Sequence, residues 1–358
     1  MQRQTLNIAP MASLFTIHSE IRYEIVRKIY EGGMGIIYEA EQHGARNFVK
    51  RLAIKVIRQS YASQKQFIEN FIGEAKLVAD LIHTNIVQTY HLGESKGIYY
   101  IAMELIRGVN LEQFADQMRD KNRILPVDVA VFITSRVCRG LAYAHAKCDK
   151  DGNLLGLVHR DVSFKNIMVA FEGDVKLTDF GIACARGFLP ADNPDVIVGS
   201  PDFMSPEQIS GEAIDHRSDI FSTGVVLSTL LLNVNPFAGA SVEEMRQHLT
   251  QRALPDFRRM NPEIDEDLDR ILRTALARQA AHRYASAYDM LSDVEHYLYA
   301  REHGPTADRL RRFLVEITTT PSKTRNITRT RTKVIPKPTA KPAAKTPSSA
   351  PSHGKKRG

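Results

Sequence analysis

The stretch LVHRDVSFKNIMV, Leu157–Val169, places a cluster of polar residues between two apolar runs. The polar residues are His159, Arg160, Asp161 and Asn166. A further aspartate, Asp179, follows in the segment LTDFG. The tripeptide HRD is common and indicates little by itself, but HRD-x4-N followed by a hydrophobic strand and DFG is a specific combination. The spacing predicts that Asn166 and Asp179 lie at the ends of short strands that flank one cleft.

Composition restricts the broad class of the protein. The 358 residues are 43% hydrophobic and 25% charged, as in ordinary globular proteins, and this length is typical of about two domains. The three cysteines are odd in number and widely spaced, so we expect reduced thiols rather than disulfides or a zinc site. The longest apolar run, Thr223–Leu232, is far shorter than the roughly 20 residues that span a bilayer. We therefore expect a cytoplasmic protein without a membrane span.

The positive charge is concentrated in the tail. Residues 317–358 contain eleven Lys/Arg and no Asp/Glu, whereas the whole chain has a net charge of only +7. The tail, 304–358, is rich in Lys, Pro and Ala and has few apolar residues to bury, so we expect most of it to be disordered, apart from a possible short helix over 309–320. Such a tail could bind an acidic partner or nucleic acid weakly, or simply be solvated.

The order of elements predicts an α+β chain of two lobes. Short apolar alternations indicate an antiparallel, β-rich first lobe, and the helical spacing over 64–82 predicts its one main helix. Helices dominate after Pro126, and Ser218–Leu232 is apolar on all sides, as expected for a buried helix. The expected boundaries are a leader at 1–20, an N-lobe at 21–105, a hinge at 104–109, a C-lobe at 110–303 and the tail.

Residues 23–303 resemble a bacterial eukaryotic-like (Hanks-type) serine/threonine protein kinase. The motifs EGGMG, AIK, MELI, HRDVSFKN, DFG and GSPDFMSPE occur in the order of that family. The resemblance implies the two-lobed protein kinase fold and transfer of the ATP γ-phosphate to Ser/Thr hydroxyls of protein substrates. It also makes the thirteen Ser/Thr of 318–352 candidate autophosphorylation sites.

The resemblance implies a nucleotide site built from a glycine-rich loop, a strand lysine and a hinge. The implied ATP-binding residues are Gly32, Gly33, Gly35, Ile37, Ala53, Lys55, Met103, Glu104, Ile106 and Met168. The Glu104 carbonyl and the Ile106 amide would bind the adenine edge, with Met103 as gatekeeper. Tyr30 stands where the family has its first glycine, which is a departure at the front of the pocket.

The resemblance also implies the catalytic roles. Asp161 would accept the proton of the substrate hydroxyl, and Ser200 would bond to Asp161. Asn166 and Asp179 would hold Mg²⁺, which prefers such oxygen ligands. Lys55 would contact the phosphates while paired with Glu74. Glu69 is the alternative partner for Lys55.

The catalytic loop departs from the family pattern HRDLKPEN. Ser163 replaces the lysine that normally neutralises the γ-phosphate, and Phe164 replaces the proline. We hypothesise that Lys165 supplies the missing charge, as an arginine does at this position in tyrosine kinases. The alternative is that Lys165 is solvated and the enzyme is slow or inactive.

Several supporting contacts follow from the same resemblance. Glu207 should pair with Arg283, and Asp219 should anchor the backbone of the catalytic loop. His159 and Phe180 should stack in a hydrophobic column that includes Val78. The segment 182–198 contains no Ser, Thr or Tyr, so we hypothesise that Asp192 or Asp195 faces Arg160 in place of a phosphate.

Two other functions remain open. A pseudokinase scaffold is favoured by Tyr30 and Ser163 but disfavoured by the intact Lys55, Asp161, Asn166 and Asp179. A nucleic-acid-associated protein would act through the basic tail, although no aromatic residue after Phe313 offers a stacking platform for bases.

Overall fold

An antiparallel sheet of six strands forms the first lobe in the computed structural model, which describes residues 14–18, 21–32, 35–58, 65–180, 200–300 and 306–319. The strands are β1 Phe15–His18, β2 Arg22–Glu31, β3 Gly35–His43, β4 Val49–Ile57, β5 Thr89–Ser95 and β6 Ile98–Met103. Their spatial order is β1-β2-β3-β4-β6-β5. The segment expected as a leader thus contains β1, which pairs with β2.

The alternation of the first strands sets which side chains are buried. Tyr23 and Ile25 on β2 and Ile54 on β4 are almost completely buried, and they pack in one N-lobe cluster. Successive strand residues point to opposite faces of a sheet, so the side chains that alternate with these buried ones face the solvent or the cleft. The pairing of Lys55 with Ile101 and of Ala53 with Met103 fixes the strand lysine beside the hinge strand.

The helix expected over 64–82 is shorter, since α1 covers Lys65–Ala79. Its apolar residues Phe71 and Ala75 pack with Ile57 and Ile101 on the sheet. Strand β5 begins only at Thr89, because Asn85, Ile86 and Val87 instead bond to the C-lobe backbone around Leu177. This segment therefore joins the two lobes.

The second lobe is mainly helical, as predicted. Its helices are α2 Leu111–Asp120, α3 Val127–His145, α4 Pro206–Ser210, α5 Arg217–Leu232, α6 Val242–Thr250, α7 Phe257–Met260, α8 Glu266–Ala275, α9 Ala287–Tyr299 and α10 Thr306–Thr319. A small antiparallel sheet lies at its top, with the order β7 Gly108–Asn110, β8 Ile167–Ala170 and β9 Val175–Leu177. The largest hydrophobic cluster spans this lobe and includes α3, α5 and α9.

Helix α5 is buried on nearly all sides, as its uniformly apolar sequence predicts. Ser222, Thr223 and Ser228 on this helix are also buried, and the Thr223 and Ser228 hydroxyls donate to backbone carbonyls of the same helix. Local bonds of this kind satisfy hydroxyls inside an apolar lobe.

The predicted tail begins with an ordered helix, because α10 packs its apolar side against the C-lobe. Residues 320–358 lie outside the described residues, so the expected disorder of that segment stays a prediction. Within the described ranges, none of the helices is both long and apolar enough to cross a membrane.

Candidate active site

The cleft between the lobes is a cavity of about 1040 Å³. The N-lobe strands, the hinge after β6, the catalytic loop before β8 and the segment after β9 all contribute to its walls. The cavity brings together many residues of the site predicted from the sequence. Those that line it are Gly32, Gly35, Ile37, Ala53, Lys55, Met103, Glu104, Ile106, Asp161, Lys165, Asn166, Met168, Asp179 and Ser200. Residues separated by more than a hundred positions thus share one site.

Asp161 lies on the cavity wall with both carboxylate oxygens held by donors. The Asn166 amide nitrogen donates to Oδ2 at 2.6 Å, and the backbone N–H of Ser200 donates to Oδ1 at 3.1 Å. Burial raises the pKa of Asp161, although His159, Asn166 and Ser200 oppose that shift. A carboxylate whose pKa is raised and whose orientation is fixed is suited to accept a proton.

The catalytic loop is anchored by Asp219 at the start of α5. Its carboxylate accepts the backbone N–H groups of His159 at 2.7 Å and Arg160 at 2.8 Å, and its Oδ2 also meets His145 Nε2 at 2.8 Å. Burial alone would raise the pKa of Asp219, but His145 and the loop donors outweigh it, so the pKa is lowered. The predicted anchoring role of Asp219 is confirmed.

Two non-glycine residues of the site adopt left-handed backbone conformations. Arg160 has φ of 68° and Asp179 has φ of 53°. Such conformations cost about 1–3 kcal/mol each and persist only where neighbours hold them. The Asp219 bonds and the Gln208 side chain, which donates to the Arg160 carbonyl at 2.7 Å, supply that restraint for Arg160.

His159 is completely buried beneath the loop and stacks on Phe180, with ring centroids 4.5 Å apart. Burial lowers its pKa, so the ring is neutral near pH 7. Its Nε2 meets the Thr178 carbonyl at 3.2 Å. The predicted contact between these two rings is present, with the ring planes tilted by 40°, and Val78 packs against the hydrophobic cluster that contains Phe180.

Lys55 meets Asp179 directly, with Nζ 2.8 Å from Oδ1. Sequence reasoning expected a pair with Glu74 on α1, or with Glu69 as the alternative. The side chain of Glu74 lies outside the described part of the chain, and Glu69 is 3.8 Å from Lys65 on the same helix. The contact between Lys55 and Asp179 was not expected from the sequence.

The donor set near Asp179 fits a hard divalent cation. The amide nitrogen of Asn166 is committed to Asp161, which leaves the amide oxygen as its ligand atom. Asp179 offers carboxylate oxygens, and both residues line the cavity. Carbonyl and carboxylate oxygens are the ligands that Mg²⁺ prefers in nucleotide sites.

The hinge residues Glu104 and Ile106 line the cavity, and neighbouring residues hold the Glu104 side chain. Lys176 Nζ lies 3.0 Å from the Glu104 carboxylate, and the Gln88 N–H donates to it at 3.2 Å. Ala53, Val87 and Met103 form a small apolar cluster, against which Ile37 and Ile106 pack. These residues provide the flat apolar walls that an adenine ring would need.

The glycine-rich turn is closed by a bond from the Gly32 N–H to the Gly35 carbonyl at 3.0 Å. A Cβ on Gly35 would lie 2.8 Å from the Val56 carbonyl oxygen, so this position excludes a side chain. Gly33 lies outside the described residues. Tyr30 is 47% exposed at the cavity mouth, and its ring covers Gly32.

The departures in the catalytic loop have two different environments. Ser163 is completely buried, and its hydroxyl has no hydrogen-bond partner among the described residues. Lys165 is about half exposed and lines the cavity, with Nζ 3.8 Å from Glu112 on α2. Exposed ion pairs contribute about 0–1 kcal/mol, so Glu112 holds Lys165 only weakly.

The segment after Ser200 is fixed by the predicted pair of Glu207 and Arg283. Arg283 donates to both carboxylate oxygens at 2.7 and 2.8 Å, and Ser218 donates to one of them at 2.5 Å. Burial alone would raise the pKa of Glu207, but these donors lower it. The proposed partners of Arg160 in the loop, Asp192 and Asp195, lie outside the described residues.

Sequence reasoning missed several residues that hold the site. Gln208 bonds to the catalytic loop from a distant helix, and His145 bonds to Asp219, which anchors that loop. Lys176 fixes Glu104 at the hinge. Thr178 bonds to both His159 and Asn166. No local pattern marks these residues, because each of their partners is supplied by the tertiary fold.

Comparison with known proteins assigns the family. The family described as "Protein kinase domain" matches residues 23–294. The chain is 36% identical over 295 residues to "Tyrosine-protein kinase MasK" of Myxococcus xanthus, covering 82% of this chain and 45% of that protein. It is 35% identical over 274 residues to "Serine/threonine-protein kinase PrkC" of Bacillus subtilis, covering 76% and 40%.

A solved structure, the PknI kinase domain of Mycobacterium tuberculosis, matches with a TM-score of 0.59 and 25% identity. This alignment covers 80% of the present chain and 98% of the PknI chain. The chain spans less than half the length of the two curated relatives above. The cleft, the anchored HRD loop and these matches lead to one conclusion. The chain belongs to the protein kinase domain family, among the bacterial Hanks-type kinases.

Proposed function

We propose that this chain is an ATP- and Mg²⁺-dependent serine/threonine protein kinase. The observation that carries the proposal is the geometry of Asp161, whose carboxylate is held by Asn166 and Ser200 at the wall of the interlobe cavity. Lys55 and Asp179 lie together on another wall of the same cavity. Catalysis of phosphoryl transfer needs positioning and charge stabilisation, and these residues supply both.

In the proposed reaction, the substrate hydroxyl oxygen forms a bond to the γ-phosphorus as the bond from that phosphorus to ADP breaks. Asp161 takes the hydroxyl proton, and its raised pKa favours the transfer. Lys55 would bind phosphate oxygens, and Asn166 and Asp179 would hold the cation. Bound Mg²⁺ would neutralise charge that develops on the phosphate oxygens.

Lys165 is proposed as the cation that replaces the missing family lysine. It lines the cavity with Asp161 and Asn166, and its contact with Glu112 is weak and exposed. Ser163 cannot take this role, because it is buried and carries no charge. Lys165 would therefore leave Glu112 when an anionic phosphate enters.

Ser and Thr are the proposed acceptors, with protein substrates and the chain's own tail as targets. PrkC, named as a serine/threonine kinase, supports that choice. Because MasK is named as a tyrosine kinase, tyrosine is the second candidate acceptor. The site is proposed to work in the cytoplasm, where ATP is abundant, and the basic tail is proposed to make at most weak contacts with acidic partners or nucleic acid.

The test is to incubate the purified full chain with Mg·ATP and map phosphorylated residues by mass spectrometry, beside Asp179→Asn. We expect phosphoserine and phosphothreonine on the chain and on a generic basic protein substrate. Phosphate confined to tyrosine would assign the second acceptor class. Phosphate no higher than in Asp179→Asn would favour the pseudokinase scaffold and refute the proposed activity.

A further inference from the structure

Helix α10 lies beyond the part of the chain that the kinase family matches, yet it is built into the C-lobe. The family match ends at residue 294, whereas α10 covers Thr306–Thr319. Four of its apolar residues, Leu310, Phe313, Leu314 and Ile317, are at most 7% exposed, and they join the main core cluster. Burial of these large apolar side chains stabilises the packing of α10 on the C-lobe. A loosely attached helix would not bury so many.

Polar contacts fix the position of α10 beside α2 and α3. Arg123, just after α2, lies 2.7 Å from Glu316 and also covers the Phe313 ring. The Phe313 ring meets Phe114 of α2 edge to face at 6.0 Å. Arg309 pairs at 2.8 Å with Asp128, which is only 5% exposed.

The turn between β8 and β9 is shaped to accept the start of α10. Gly173 in this turn has φ of 96°, in the left-handed region that favours glycine. A Cβ on Gly173 would lie 2.1 Å from the Ala307 carbonyl oxygen. The backbone of α10 therefore approaches this turn as closely as a glycine allows.

Two of the elements that contact α10, helix α2 and the turn between β8 and β9, contribute to the wall of the interlobe cavity. Helix α2 contributes Gln113 and Gln117 to the cavity lining, and Phe171, in the same turn as Gly173, lines it as well. Gln113 also closes a capping box with Asn110 at the end of the hinge segment. None of the α10 residues is among the residues that line this cavity.

We propose that α10 is a positioning element of the nucleotide cleft, which holds α2 and the β8–β9 turn in place from behind. The expected effect of α10 on nucleotide binding rests on the proposed function, whereas its effect on the position of α2 does not. The functional kinase unit then extends to the end of α10 rather than to the end of the family match. Anything that displaces α10 weakens nucleotide binding without touching a nucleotide-binding residue.

The test uses the full chain and two matched substitutions. Phe313→Ala removes the α10 ring that Arg123 covers at 5.7 Å. Phe257→Ala removes a buried ring on α7 that Arg273 covers at 5.6 Å, and Phe257 does not line the cavity. A third variant, Arg123→Ala, perturbs the α10 contact with less loss of core packing. The measurements are the thermal midpoint, the Kd for Mg·AMP-PNP by calorimetry, and hydrogen exchange of α2.

We expect Phe313→Ala and Arg123→Ala to raise the Kd by about 2- to 30-fold, the range typical of residues coupled to a site, and to speed exchange in α2. Phe257→Ala should lower the thermal midpoint but leave the Kd and α2 exchange unchanged. A lowered midpoint with unchanged Kd and unchanged α2 exchange in Phe313→Ala would overturn the proposal. Equal effects of both phenylalanine variants would also overturn it.

Absence of AMP-PNP binding by the wild type would instead contradict the proposed function. The α10 proposal would then be judged on α2 exchange alone, with Phe257→Ala as the control.

Discussion

Replacing Glu207 by glutamine tests a buried charge contact of the C-lobe. Arg283 has a side chain that is 0% exposed, and its guanidinium donates to both oxygens of Glu207. The substitution keeps the shape but leaves the guanidinium charge without its counter-charge. Removing one partner of such a pair costs about 3–5 kcal/mol.

For a domain of the length of the family match, residues 23–294, this loss corresponds to a fall of about 5 to 9 °C in the thermal midpoint. The assay is calorimetry of the full chain at pH 7. The matched control is Asp116→Asn, which breaks the exposed pair of Asp116 and Arg119, with side chains 59% and 64% exposed. We expect the control to shift the midpoint by no more than about 2 °C.

Acidification provides a second readout of the same pair. Because the pKa of Glu207 is lowered in the folded protein, the pair stabilises the fold above the ordinary glutamate pKa of about 4.3. That stability is lost as the pH falls through the lowered pKa, and Glu207→Gln should lack this share of the pH dependence. A midpoint for Glu207→Gln that matches the Asp116→Asn control would refute the reasoning.

Three further predictions concern the catalytic loop. Lys165→Ala should lower kcat for phosphotransfer by at least about tenfold, whereas Glu112→Gln, which only frees Lys165, should keep kcat near wild type. Kinetics close to wild type for Lys165→Ala would contradict the proposed role. Because burial raises the pKa of Asp161, the acid limb in the pH profile of kcat/KM should have its midpoint above the ordinary aspartate pKa of about 3.9. A midpoint at or below that value would count against Asp161 as the base. Ser163→Ala removes a buried hydroxyl that lacks a partner among the described residues, so the thermal midpoint should stay unchanged or rise. A fall in the midpoint would contradict this and show that the Ser163 hydroxyl makes a stabilising hydrogen bond.

The contacts around Asp219 and Glu207 show how far motif reasoning reaches. Asp219 was predicted to hold the catalytic-loop backbone and Glu207 to pair with Arg283, and both contacts are present. These residues lie in or near segments that resemble those of the kinase family, and that resemblance implied their partners. In contrast, His145, Gln208 and Lys176 carry no local signal, because their bonds depend on how helices and strands pack.

The amino-acid sequence by itself determined the order of the lobes. The resemblance of its motifs to the kinase family implied the chemistry of the cleft and named fourteen of the thirty residues that line it. Apolar periodicity and turn residues act locally, and a motif of fixed spacing carries its own chemistry. Only the tertiary structure decided that Lys55 meets Asp179, that Lys165 lies beside Glu112, and that the chain after 304 begins with a helix packed behind α2. The physical reason is that these contacts join distant segments, whose approach is set by the burial of surfaces that no single segment contains.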